Sequence, residues 1–230
     1  MATRSRTGFD AIRMESTVRT HTDVAAQIDS TIDLYWLPLG AGGHFVRWNG
    51  RAYEALAALR ERRSPQALYH SALEVTVPGG RFVIEMTPIP DANGAERGVV
   101  AEGAVGSRLA GRFRLFRYEV RRWNDGVIPD VDEAVDSPVH LSSDPRDAAR
   151  LLELVPEVPT LVWGRDELRA GDMWNSNSVV SWLLARAGLN IDALRPPSGG
   201  RAPGWKTGLV AAKLPSHQRR PLEVGTSQVL

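Results

Sequence analysis

Two stretches with the residue preferences of β-strands, ALYHSALEVTV (67–77) and RFVIEMTPI (81–89), flank the turn sequence PGG. A short segment that contains Gly and Pro between two such stretches is typical of a β-hairpin. The strands of a hairpin pair in the antiparallel direction. This feature constrains the fold more than any other, because it predicts an antiparallel sheet instead of a parallel sheet built from β-α-β units.

Further strand and helix patterns alternate along the chain. The remaining strand patterns cover residues 32–40, 44–50, 111–123 and 208–212. Helical patterns cover 51–63 and 144–155, the latter with Asp144 as N-cap and Pro145 in its first turn, and a third helix follows NSNS (175–178). Because the strands fall in hairpins, we expect an α+β fold in which an antiparallel sheet packs against a few helices.

Length and composition predict one domain with extensions. The chain has 230 residues, of which 43% are hydrophobic, and this is enough for one substantial core. We expect residues 1–30 to form a polar peripheral arm, residues 31–213 the α+β domain and residues 214–230 a mobile tail. The use of Arg in place of Lys, with abundant Ala and Gly, is typical of GC-rich actinobacterial coding.

Charge and residue usage exclude several classes of function. The net charge is +1, so no overall field favours nucleic acid or a membrane surface as a partner. The sequence has no signal-peptide pattern and no run long and apolar enough to span a membrane, so a cytoplasmic location is expected. The absence of Cys excludes disulfides and thiolate catalysis. The histidines are scattered, and we expect neither a metal site nor a cofactor.

The stretch MWNSNSVVSWLLARAGL (173–189) places four polar residues where an amphipathic helix should begin. The first N–H groups of a helix lack partners, and Ser or Asn commonly caps them. The same position suits a nucleophile, because the helix end stabilises a developing anion. Ser176 is therefore either a helix cap or a nucleophile. Trp174 beside it either walls a substrate cleft or packs in the core.

His70 lies in the middle of the strand pattern 67–77. Side chains alternate between the faces of a strand, so Leu73 and Val75 share the core face. His70 then shares the other face with Ala72 and Glu74. This placement suits a partly exposed residue and also a general base.

These residues carry a resemblance to known families. NSNSVV before an apolar helix resembles the Asn-Cys-x-x-Phe stretch of circularly permuted papain-like proteins, namely the permuted NlpC/P60-type hydrolases and the lecithin:retinol acyltransferase-like proteins. In these families a strand with the catalytic His precedes the nucleophile, as YHSALEV precedes NSNS here. A partner strand resembling FVIEMTP supplies a third polar residue. The resemblance covers roughly residues 34–190.

The resemblance implies a catalytic arrangement. It places Ser176 where the families have Cys, His70 as general base and Glu85 as the residue that orients the imidazole. Backbone N–H groups at the helix start, with Asn175 or Asn177, would hold the oxyanion. Because Ser stands in place of Cys, the chain has either a serine version of this machinery or a fold that has lost its chemistry.

The register of the hairpin decides whether Glu85 reaches His70. A four-residue loop places Glu85 opposite His70 and Glu74 opposite Arg81, a favourable cross-strand pair that we prefer. A tighter turn makes Thr87 the nearer partner of His70.

Two functions follow. The first is a hydrolase or acyltransferase that acts on an amide, thioester or ester of a small molecule, peptide or lipid by a Ser-His-Glu arrangement. The second is a catalytically inactive binding or scaffold module of the same fold, in which Asn175–Ser178 only cap the helix.

Overall fold

The computed structural model describes residues 29–39, 62, 64–89 and 97–215. Within these ranges it has an α+β fold with a seven-stranded sheet and three helices. The strands are β1 (Thr31–Pro38), β2 (Ala67–Val77), β3 (Gly80–Pro88), β4 (Val99–Ala104), β5 (Arg117–Asn124), β6 (Val139–Ser142) and β7 (Gly200–Arg201). The helices are α1 (Pro145–Leu154), α2 (Ser176–Ala187) and α3 (Trp205–Ala212). The predicted α+β class is confirmed.

The β2–β3 hairpin lies at the centre of the sheet. The strand order is β4-β5-β3-β2-β1-β6, and neighbours in this order pair antiparallel. The two-residue strand β7 pairs in parallel with the start of β2. Val77 pairs with Gly80, so the turn contains only Pro78 and Gly79. Gly80 has a φ of 134°, which a residue with a side chain rarely adopts.

The two faces of the sheet pack against different partners. On one face, Leu73 and Val75 of β2 join the main core together with residues of α1 and α2. On the other face, Leu37 and Ala72 belong to a smaller apolar cluster. We call these the helix face and the opposite face. Strand alternation predicted that Leu73 and Val75 lie on the core side, and the structure confirms it.

Helices α2 and α3 approach each other closely at Gly208. A Cβ atom at this position would lie 2.2 Å from the carbonyl oxygen of Ser178 and 2.0 Å from Oγ of Ser181. Only glycine allows such an approach of one helix to the backbone of another. The contact holds the start of α3 against the first turns of α2.

Several predicted elements are confirmed. Strand β2 has the predicted bounds, and the strands expected near 32–40 and 81–89 correspond to β1 and β3. Helix α1 begins as expected, since the side chain of Asp144 accepts a hydrogen bond of 2.8 Å from the Arg146 N–H. The strand predicted over 44–50 and the helix predicted over 51–63, except Arg62, lie outside the described residues.

Two predicted strands are wrong. The first half of 111–123 forms two 3₁₀ turns, Ala110–Arg112 and Arg114–Phe116, and strand β5 starts only at Arg117. Local N–H to C=O hydrogen bonds close these turns, so the alternation of Arg with apolar residues is not that of a strand here. Residues 208–212 belong to helix α3, because a short apolar run does not distinguish a strand from a buried helical segment. Strands β4, β6 and β7 were not predicted.

Candidate functional site

The polar run at the start of α2 begins with the helix cap. Asn175 is the N-cap, and its Oδ1 accepts a hydrogen bond of 3.3 Å from the Ser178 N–H. In return, the Ser178 hydroxyl accepts a hydrogen bond of 3.1 Å from the Asn175 N–H, which completes a capping box. Ser or Asn was expected to cap this helix, and the capping side chain is that of Asn175.

Asn177 joins the helix to the sheet and to a loop. Its Oδ1 accepts a hydrogen bond of 2.8 Å from the Ser71 hydroxyl of β2. Its Nδ2 donates to the Tyr69 carbonyl at 2.9 Å and to the Pro203 carbonyl at 2.8 Å. Ser71 and Asn177 are both 1% exposed, so these bonds satisfy polar groups that water does not reach. The amide of Asn177 is therefore occupied by structural bonds.

Further polar side chains at the start of α2 bind the first residue of α3 and the loop before it. Ser178 Oγ donates to the Gly204 carbonyl at 2.8 Å, and Ser181 Oγ donates to the Trp205 carbonyl at 2.8 Å. The Asn175 side chain donates to the Pro203 carbonyl at 2.8 Å. These bonds explain why the helix start needs several polar residues, since one caps the helix and the others fix neighbouring segments.

Ser176 and Trp174 have simpler surroundings. Ser176 is 7% exposed, and within the described ranges its hydroxyl has no hydrogen-bond partner. Its Oγ thus contributes nothing to the cap. Trp174 is 0% exposed and packs in the main core, so its side chain does not reach a solvent-filled cleft. Of the two alternatives for Trp174, the structure has core packing.

His70 lies on the opposite face of the sheet. It pairs with Leu37 of β1, which belongs to the smaller cluster, whereas its neighbour Ser71 points to Asn177 on the helix face. The sheet therefore separates the imidazole from the start of α2, and the structure does not bring His70 and Ser176 together. Burial lowers the pKa of His70 from 6.5 to about 4, so the ring is neutral at pH 7.

The register of β2 and β3 differs from the one we preferred. Leu73 pairs with Ile84 and Thr76 with Arg81, and continuing this pairing sets Thr87 opposite His70. The register with Glu85 opposite His70 is wrong, because the turn is two residues long instead of four. Glu85 lies two positions away along β3, on the same face as His70. The Glu74–Arg81 ion pair does form, with 2.7 Å between Oε2 of Glu74 and Nη1 of Arg81, as a diagonal contact.

Glu85 belongs to a buried cluster of charges on the opposite face. Nη1 of Arg121 donates a hydrogen bond of 2.8 Å to Oε1 of Glu85, and Nε of Arg121 donates one of 2.5 Å to Oε1 of Glu119. All three residues are less than 9% exposed. Burial raises the pKa of Glu85, and the nearby Arg121 opposes this effect. The carboxylate of Glu85 is therefore bonded to Arg121 and has no contact that orients His70.

Sequence reasoning missed Arg121, Glu119 and Ser71. Arginines are mostly exposed in folded proteins, but Arg121 is 5% exposed. A signal was present, because Glu119 shares the strand face of Arg121 and offers it a charge partner. Ser71 also shares its face with Leu73 and Val75, and a hydroxyl on a core face needs a buried partner.

The described residues include one notable apolar cavity. Its volume is about 270 Å³, and its lining includes Trp36, Leu194, Trp205 and Leu209. The rings of Trp36 and Trp205 lie 5.2 Å apart between centroids. Pockets for small ligands typically occupy about 300–1,000 Å³. The cavity is smaller than this range, and none of the predicted catalytic residues lines it.

The described residues show neither a candidate metal site nor a membrane-spanning helix. Within the described ranges, no cluster of three or more His, Cys, Asp or Glu side chains could hold a metal ion. No helix in the same part of the chain has the length and hydropathy to cross a membrane. Comparison with protein-family models, with curated proteins and with solved structures found no match.

Proposed function

We propose that this chain is a binding or scaffold module that does not carry out Ser-His-Glu chemistry. One observation carries the proposal: the β-sheet lies between Ser176 and His70. A general base must lie about 2.6–3.2 Å from the hydroxyl it deprotonates, or reach it through one water. Side chains on opposite faces of a sheet do not meet this requirement.

A change of conformation does not easily remove this separation. To move His70 to the helix face, strand β2 would have to slip by one residue, and such a slip turns every side chain of the strand to the other face. Leu73 and Val75, which are 0% exposed, would leave the main core, and Ser71 would lose Asn177. The packing of β2 therefore supports the binding module.

The structural bonds of the polar run support the same conclusion. Asn175 caps the helix, Asn177 binds β2, and Ser178 binds the loop before α3. Both Asn side chains that the resemblance would assign to an oxyanion hole are already bonded to protein groups. The polar character of 175–178 thus has a structural reason that requires no substrate.

A hydrolase or acyltransferase of permuted papain-like fold is the second candidate. Two features favour it: Ser176 stands in the first turn of α2, and its hydroxyl has no partner in the described ranges. The order of His70, Glu85 and Ser176 along the chain also follows the resemblance. This candidate requires a base other than His70 on the helix face.

Labelling with a fluorophosphonate probe distinguishes the two candidates. We expect no labelling of the folded full chain, because Ser176 lacks an activating base. The Ser176→Ala and His70→Ala variants serve as matched controls and should give the same blank result. Labelling of the wild type that disappears in both variants would overturn the binding-module proposal. Labelling that disappears only in Ser176→Ala would support a serine enzyme with another base.

A further inference from the structure

The segment 107–117, between β4 and β5, exposes large apolar side chains. We call it the 107–117 turn. Leu109 and Phe113 are each 68% exposed, Leu115 is 83% exposed and Phe116 is 44% exposed. Four large apolar side chains exposed within eight consecutive residues mark a contact site more often than singly scattered ones do. The 107–117 turn is therefore a candidate docking surface.

The backbone of the 107–117 turn is held in place. Its two 3₁₀ turns are closed by hydrogen bonds of 2.9 Å from Phe113 N–H to the Ala110 carbonyl and from Phe116 N–H to the Phe113 carbonyl. The Val105 N–H donates a bond of 2.8 Å to the Phe116 carbonyl, which ties the turn to the end of β4. A Cβ at Gly111 would lie 2.5 Å from that of Ala104, so the turn packs closely on this strand. The apolar side chains are thus presented outward by a defined backbone.

The 107–117 turn also carries positive charge. It contains four arginines and no acidic residue. Arg108 pairs with Glu167 at 2.9 Å and Arg117 pairs with Glu102 at 2.8 Å. Arg112 and Arg114 are exposed, and among the described residues neither has an acidic partner. These two arginines are the sequence neighbours of the exposed Phe113.

We propose that the 107–117 turn docks this module onto an anionic lipid bilayer. The proposal names a partner for the binding role proposed above and rests on that role. Phe113 and Leu115 would enter the boundary between headgroups and acyl chains, and Arg112 and Arg114 would pair with lipid phosphates. Arginine suits this position, because its stem packs on apolar groups while its head stays with the phosphates.

Charge complementarity indicates an anionic bilayer as the partner. Among the described residues Arg112 and Arg114 have no acidic partner, and they stand next to the exposed Phe113 and Leu115 in the sequence. This pattern calls for a partner that offers anionic groups close to an apolar layer. An anionic bilayer offers an apolar layer directly beneath a layer of phosphates at every point of its surface.

Co-sedimentation of the full chain with vesicles tests the proposal. We expect binding to vesicles of phosphatidylcholine mixed with phosphatidylglycerol, little binding to phosphatidylcholine alone, and a loss of binding as salt screens the charges. The Arg112→Gln/Arg114→Gln variant should bind at least about tenfold more weakly, since each arginine near an anionic surface contributes to affinity. The Phe113→Ser/Leu115→Ser variant should also lose binding.

Two exposed positions provide matched controls. Arg146→Gln removes an arginine whose side chain is 94% exposed, and Val127→Ser removes an apolar side chain that is 60% exposed. Both should bind like the wild type. The melting temperature of each variant shows whether it is folded, and all the changed side chains are exposed, so we expect no loss of fold.

Several results would overturn the proposal. One is the absence of binding of the wild type to the anionic vesicles, and another is full binding by the Arg112→Gln/Arg114→Gln variant. A wild type that forms dimers without lipid, while Phe113→Ser/Leu115→Ser is monomeric, would assign the turn to a second copy of the chain. If the protein does not bind vesicles and the fluorophosphonate probe gives no labelling, the bilayer proposal fails and the binding-module proposal stands. Labelling of Ser176 overturns the binding-module proposal whether or not the protein binds vesicles.

Discussion

The hydroxyl of Ser71, in the middle of β2, donates a hydrogen bond of 2.8 Å to Oδ1 of Asn177 in the first turn of α2. The two residues are 106 positions apart in the sequence, and both are buried. This bond fixes the start of α2 on one face of the sheet. Because neighbouring strand residues point to opposite faces, the same bond implies that His70 faces away from the helix.

Replacement of Asn177 by Ala should strongly destabilise the fold. The change leaves the Ser71 hydroxyl and the Tyr69 carbonyl without the partner they have now. A buried polar group that loses its partner costs about 1–3 kcal/mol, so we expect the free energy of unfolding to fall by at least about 2 kcal/mol. Chemical denaturation measures this value. The exposed Asn190→Ala is the control, and an equal effect of the two changes would contradict a special role for Asn177.

Replacement of Asn175 and of Ser176 should have different effects, although the residues are adjacent. Asn175→Ala removes the cap and the bond to the Pro203 carbonyl, and we expect a loss of about 0.5–2 kcal/mol in the free energy of unfolding. Ser176→Ala removes a hydroxyl without a partner in the described ranges and should change stability by less than about 0.5 kcal/mol. Thermal unfolding of both variants checks this order. A larger loss for Ser176→Ala would contradict the assignment of the cap.

The central hairpin was predictable because its signals are local. Strand alternation in 67–77 and a turn at PGG depend on neighbouring residues only, and both are present, although the turn has two residues instead of four. The pairing of Glu74 with Arg81 was also anticipated. The register was not anticipated, because a Glu–Arg ion pair forms between diagonal positions as well as between directly opposite ones. This one contact therefore does not determine the turn length. An error of two residues was enough to displace Glu85 from His70.

The candidate site was harder to predict, because its geometry depends on contacts distant in sequence. The run 175–178 has the same composition whether it caps a helix, binds a strand or attacks a substrate. The partners that distinguish these roles are Ser71, Pro203 and Gly204, and no local pattern connects them to the helix start. The sequence did place His70 on the face opposite Leu73. The missing step was to place the helix on the face of Leu73.

Replacement of Arg121 by Met should be among the most damaging single changes on the opposite face. It would leave the carboxylate of Glu85 buried without its ion-pair partner, and it would leave Glu119 with the more distant Arg97, whose Nε lies 3.7 Å from Oε1. Breaking a buried ion pair by removing one partner costs about 3–5 kcal/mol, and we expect a loss of that order in the free energy of unfolding. Arg146→Met, at an exposed position, should change it by less than about 0.5 kcal/mol.

A second replacement tests the cause. If buried unpaired charge causes the loss, adding Glu85→Gln to Arg121→Met should recover part of the stability, because the carboxylate that lost Arg121 is then neutral while Glu119 keeps Arg97. The measurement is the unfolding midpoint in denaturant for the single and the double variant. A double variant less stable than the single one would show that packing of the Arg121 side chain matters more than its charge.

The pH dependence of stability should reveal the burial of His70. Its pKa is lowered to about 4 in the folded protein, whereas the ordinary histidine pKa of 6.5 applies in the unfolded chain. The unfolded chain therefore binds a proton at a higher pH than the folded chain does. The contribution of His70 is then fully present above about pH 6.5 and is lost as the pH falls from 6.5 towards 4. Because the ring is only partly buried by surface area, we expect a loss of about 2 kcal/mol from this group.

The variant His70→Gln isolates this effect, since it keeps a polar side chain that does not titrate. Glu85 on the same face acts in the opposite direction: its pKa is raised from 4.5, so its contribution is present at low pH and is lost as the pH rises above 4.5. Both proteins contain Glu85, and the difference between their unfolding free energies at each pH therefore reports His70 alone. We expect the wild type to lose about 2 kcal/mol more than His70→Gln between pH 7 and pH 4. Parallel curves for the two proteins would mean that the imidazole is hydrated and that its pKa is not lowered.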